Sequence, residues 1–101
     1  METFLAISER MSEIDPKNPS FINNIGSYHL LVKEDYKTAG KYYNKVLKSH
    51  PSDYTAIKNS VLIARKQKNE KLEKKYLQML VQHGTDSDKL QAQARLDVLN
   101  K

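Results

Sequence analysis

Few residues in this sequence have chemistry to offer: three histidines (His29, His50, His83), six tyrosines and two rows of lysine, with no cysteine. Metal ligation needs donors gathered on one face, as in H-E-x-x-H, and none of the three histidines stands in such a pattern. Without Cys, thiol catalysis, Cys-ligated zinc and disulfides are excluded. Three scattered Gly supply neither a nucleophile elbow, G-x-S-x-G, nor a phosphate-cradling loop. No catalytic, cofactor-binding or metal residue is predicted, and the chain is not expected to be an enzyme.

Lys37, Lys41, Lys45 and Lys48 form one basic row, and Lys66, Lys68, Lys71, Lys74 and Lys75 cluster later. Such rows can meet phosphates, and the net charge of +5 permits weak attraction to acidic partners. A solvated outer helix face explains them more simply. Nucleic acid is therefore not the expected partner, and binding to it or to an acidic surface through these faces is the alternative. Tyr36, Tyr43 and Tyr76 fall on apolar helical stripes and read as core, whereas Tyr28, Tyr42 and Tyr54 are freer. His29 lies on such a stripe too and reads as a packed imidazole, while His50 and His83 sit beside helix ends, where the dipole favours them.

These residues are carried by helices. The sequence holds 101 residues, 39% hydrophobic and 29% charged, with only 3 Gly and 3 Pro, which favours one all-α domain. Apolar runs such as Val61 to Ala64 fall far short of the roughly 20 residues needed to span a membrane, so membrane insertion is not expected. The expected compartment is the cytoplasm, left open if the sequence is an excerpt of a longer exported protein.

Phe4, Ile7, Met11 and Ile14, with Leu5 and Ser8 beside them, predict a first helix that the Pro16 and Pro19 segment stops. Asn18 caps a second helix with Pro19 at its first position and a stripe of Ile22, Ile25, His29 and Val32. Gly26 in its middle costs about 1 kcal/mol against Ala, which predicts a neighbour approaching the backbone there. After Lys33 to Asp35, a third helix carries Tyr36, Ala39, Tyr43, Val46 and Leu47 and ends at His50 and Pro51; the short turn makes the two antiparallel. Asp53 caps a fourth, with Ile57, Ser60, Val61 and Ala64 inward. A fifth carries Leu72, Tyr76, Met79 and Leu80 and ends at Gly84 in a left-handed turn. Thr85 or Ser87 caps a sixth, whose stripe is Leu90, Ala94 and Val98, with Leu96 and Leu99 adjacent.

Pro16 and Pro51, 35 residues apart, each close a helix that is followed within a few residues by a new one. A period near 34 with helix, turn, helix in each unit resembles the tetratricopeptide repeat family. Ile22, Ile25, Gly26, Tyr36, Ala39, Tyr43 and Pro51 match its signature positions over residues 19–51, with one extra residue between Gly26 and Ala39. Residues 53–84 resemble a degenerate second repeat, 1–15 the second helix of a truncated one, and 87–100 the helix that seals such arrays. The resemblance implies a single domain over 1–101: a right-handed superhelical stack of antiparallel pairs, about six helices in all.

It also implies a non-catalytic scaffold that binds a peptide or partner protein in the concave groove lined by the first helix of each pair. Asn23, Asn24, Ser27, Lys58, Asn59 and Arg65 are the expected groove residues. Relatives with a carboxylate clamp use Lys, Asn and Arg; Asn59 and Lys89 fall at two such positions, but Asn23, Ser27 and Gln93 depart from it, so no clamp is expected. The unpaired first helix leaves self-association as a further possibility.

Overall fold

The computed structural model describes residues 4–101, with side chains from Leu5 onward, and within them the chain forms six helices and no strand. They are α1 (Phe4–Ile14), α2 (Pro19–Leu31), α3 (Tyr36–Ser49), α4 (Tyr54–Lys66), α5 (Glu70–His83) and α6 (Asp86–Leu99). Successive helices pack within two compact units, Met1–Asp53 and Tyr54–Lys101.

In the N-terminal unit, the Asn18 side chain accepts the Ser20 amide and Pro19 stands at the first helical position, so α2 starts where its sequence directs. Asp35 caps α3 by accepting the Thr38 amide and hydroxyl. The Thr38 hydroxyl first, then its amide, holds the Asp35 carboxyl below its ordinary value. Ile22, Ile25 and Leu30 of α2 are buried with Ala39, Tyr43 and Val46 of α3. The predicted close approach at Gly26 is present: a Cβ there would stand 3.0 Å from the Tyr43 ring. Tyr43 is fully buried, and its hydroxyl lies 2.9 Å from Ser27 Oγ. His29 is half-buried and stacks on Tyr42, with ring centroids 5.6 Å apart, so Tyr42 is less free than its sequence position predicts.

The first helix departs from expectation. Ser8 is buried, whereas Ile7, Met11 and Ile14 are 46%, 36% and 70% exposed; Phe4 of the same stripe lies outside the described side chains. A helix of this length has two usable faces, and α1 turns its small polar one inward while leaving the apolar one to solvent. Val32, placed on the α2 stripe by spacing, falls beyond the last helical residue and is exposed as well.

In the C-terminal unit the expected inward set of α4, Ile57, Ser60, Val61 and Ala64, is buried. On α5, Tyr76 and Leu80 are buried and Leu72 and Met79 half-buried, but Leu77 and Glu73 join the core unforeseen. Gly84 is extended (φ −80°, ψ 177°) rather than left-handed. Its reason is space: a Cβ would meet Leu80 O at 2.6 Å and Asp88 Cβ at 2.8 Å, where the chain folds back into α6. Thr85 caps that helix in a reciprocal box with Asp88. The first of the two predicted α6 rows is wrong: Leu90 and Val98 are 75% and 56% exposed, and the buried face is Asp88, Ala92 and Leu96, of which Leu96 belongs to the predicted adjacent row. A core-facing row that opens on a carboxylate defeats a purely apolar periodicity.

Candidate functional site

Three side chains on one stripe of α4, Lys58, Leu62 and Arg65, line an open cleft of about 190 Å³ within the C-terminal unit. Their spacing of four and three residues puts the two cations about 10 Å apart along the helix, with Leu62 between them. Val61 joins them from α4, α5 contributes Leu77 and Leu80, and α6 contributes Asp88, Gln91 and Ala92. The floor is thus aliphatic and the rim polar. Leu62 is 36% exposed above buried Val61, Leu77, Leu80 and Ala92.

Two buried carboxylates set the charge of this rim. At one end the Asp88 carboxylate accepts the Tyr54 hydroxyl at 2.6 Å and the Thr85 hydroxyl at 2.8 Å, and Lys58 Nζ stands 3.7 Å away. The Tyr54 bond foremost, then Thr85, holds Asp88 below its ordinary value. Lys58 also lies over the Tyr54 ring, and that tyrosine, then Asp88, raises its pKa. Tyr54, read as free from its position, is therefore a positioning residue.

At the other end Glu73, only 2% exposed, accepts Arg95 Nε at 2.8 Å and Arg65 Nε at 3.1 Å. Arg95 foremost, then Arg65, keeps Glu73 ionised below its ordinary value, and Glu73 raises Arg95 in turn. Glu73 faces two guanidinium groups here, and Glu70 acts on Arg95 as well, whereas at the other end Lys58 stands against Asp88.

Of the residues predicted to line a groove, Lys58 and Arg65 come together at this cleft, while Asn59 is half-buried outside its lining. Asn23, Asn24 and Ser27 belong to the N-terminal unit. Asn23 is buried, its Nδ2 donates to Asp53 Oδ1 at 3.1 Å, and its own Oδ1 has no hydrogen-bond partner. Ser27 is engaged by Tyr43, and Asn24 is half-buried. Lys89 is exposed outside the cleft, and Gln93 lines a second, wider depression of about 340 Å³ with Gln78, Gln82 and Asn100.

Of the α5 and α6 contributions, Leu80 stands on a stripe read from the sequence, while Leu77, Asp88, Gln91 and Ala92 do not. Their one available signal was the four-residue spacing of Asp88, Ala92 and Leu96 behind a capping threonine. No helix among the described residues is long and apolar enough to cross a membrane. No protein-family model matches the chain, and no curated protein matches it in sequence.

Proposed function

We propose that the chain is a non-catalytic interaction module built from tetratricopeptide-like helix pairs, which takes a peptide or a segment of a partner protein in the cleft of its C-terminal unit. Stacking of the pairs into a right-handed superhelix belongs to the same reading, supported by the signature residues of 19–51. One observation carries it: an exposed leucine, Leu62, over an aliphatic floor and flanked on its own helix by two half-exposed cations. At about 190 Å³ the cleft is below the roughly 300 to 1,000 Å³ of pockets that enclose a small molecule, yet wide enough for an aliphatic side chain.

Affinity capture tests it with the intact chain beside Leu62→Asp, a change at a partly exposed site. The reading predicts specific partners retained by the first and lost from the second. Identical partner sets would overturn it, and Asn24→Ala serves as the control in the other unit.

A second reading rests on α1, whose Ile7, Met11 and Ile14 offer an apolar stripe for assembly. It requires light scattering to give a mass above one chain, reduced by Ile14→Glu. A strict monomer would remove self-association.

A further inference from the structure

The cleft's two ends differ in how their cations are engaged, and that difference specifies what it should hold. At one end Lys58 pairs with Asp88 Oδ1, while Asp88 Oδ2 accepts the Tyr54 and Thr85 hydroxyls. At the other, Arg65 meets Glu73 through Nε, Arg95 is held by Glu73 and feels Glu70 as well, and both arginine side chains keep more than a third of their surface in solvent (48% and 38%). A guanidinium with free donors beside an aliphatic pocket suits a carboxylate that reaches it from a neighbouring apolar anchor. We infer that, resting on the peptide-docking reading above, the cleft selects a segment carrying one aliphatic side chain, seated against Leu62, and an acidic side chain that pairs with Arg65.

Geometry sets the spacing. In an extended segment, residues two apart point to the same side about 6.6 Å from each other, about 2 Å more than the roughly 4.5 Å axial offset between Leu62 and Arg65, a difference that the swing of the long arginine and acidic side chains covers. The ligand pattern is therefore aliphatic, any residue, acidic. Gln91, whose Nε2 donates to Ser87 Oγ at 3.2 Å, presents its amide oxygen from across the cleft to a peptide N–H between them. The recognised carboxylate belongs to a side chain, so a blocked C-terminus leaves binding intact.

Titration of isotope-labelled chain with blocked tripeptides, followed by amide and arginine Nε resonances, reads each element separately. The probes are N-acetyl-Leu-Ala-Glu-amide, N-acetyl-Leu-Ala-Lys-amide and N-acetyl-Ala-Ala-Glu-amide. The Leu-Ala-Glu probe should shift Leu62, Gln91 and Arg65 and saturate at about threefold lower concentration than Leu-Ala-Lys, as befits a partly exposed ion pair. That advantage should vanish in Arg65→Gln, return in Arg65→Lys, and fade in high salt. Arg95 retains Glu73 in both variants, so the fold is kept. Equal affinity of the Glu and Lys probes would overturn the acidic assignment while leaving the docking reading standing. Equal affinity of Ala-Ala-Glu and Leu-Ala-Glu would overturn the aliphatic assignment. No shift with any probe would sink the cleft itself.

Discussion

The two units use the same device, helices joined by short turns, but different chemistry ties them. The N-terminal unit, with seven Lys and Arg against seven Asp and Glu, is locked where α2 meets α3 by neutral contacts: the Tyr43 ring against Gly26, and hydroxyl on hydroxyl between Tyr43 and Ser27. Residues 54–101 carry ten basic and five acidic side chains and are locked by ions, Glu73 between two arginines and Asp88 beneath Tyr54 and Lys58. The contrast teaches that a polar cluster can serve both packing and recognition. Glu73 positions Arg65 at the cleft while drawing α4, α5 and α6 together, whereas the neutral locks of α2 and α3 leave no comparable charge.

Removing both cations of the ionic lock should do the most damage. Arg65→Met with Arg95→Met leaves Glu73 buried without a partner, at about 3 to 5 kcal/mol. Hydrogen exchange should show the loss in 54–101, with 4–53 spared. Restoring the variant with Glu73→Leu should recover much of it; no recovery would mean the arginines matter for their packing alone.

Acid should separate the units next. Glu73 and Asp88 both ionise below their ordinary values of 4.5 and 3.8 in the folded chain. The unfolded chain therefore takes up protons first, and the stability they supply, complete near neutrality, drains away as pH falls through about 4.5 and below. Asp35 in the other unit is lowered too, but it is an exposed cap whose loss frays one helix start. Exchange protection in α4 to α6 should thus fall before that in α2 and α3. The reverse order would break the comparison.

The neutral lock has its own probe in Gly26→Ala. The added methyl gains about 1 kcal/mol of helix propensity but presses on a ring that is buried and tethered, at about 1 to 3 kcal/mol. A net loss near 1 kcal/mol is expected in denaturant titration; a gain would show that Tyr43 can move aside. Smallest of all, Glu34 (φ 51°) and Lys68 (φ 57°) hold left-handed backbone at the exits of α2 and α4. At Lys68 the Asn69 amide bonds Ala64 O and the Lys68 amide bonds Arg65 O, the double closure that favours glycine. Lys68→Gly should raise the thermal midpoint by the equivalent of about 0.5 kcal/mol, and Glu34→Gly similarly in the other unit.

Most of the helices could be read directly from spacing and caps, because Asn18, Pro19 and Thr85 act locally and the stripes of α2 to α4 are apolar at regular intervals. The cleft was half legible: Lys58, Leu62 and Arg65 share a face by spacing alone. Its other wall was hidden. Glu73 and Arg95 are 22 residues apart and charged, so nothing local marks them as buried partners. On α6 the exposed Leu90 and Val98 carry the apolar signal while Asp88 and Ala92 do the packing. Periodicity also could not say which face of α1 turns inward.

The site of binding can be read most directly because the chain has no cysteine. A single Leu62→Cys carries one environment-sensitive dye into the cleft, and Lys45→Cys carries the same dye to the exposed side of α3. With a partner obtained by affinity capture, the account predicts a blue shift and slowed dye rotation at position 62 and none at 45. A response at 45 with silence at 62 would contradict it.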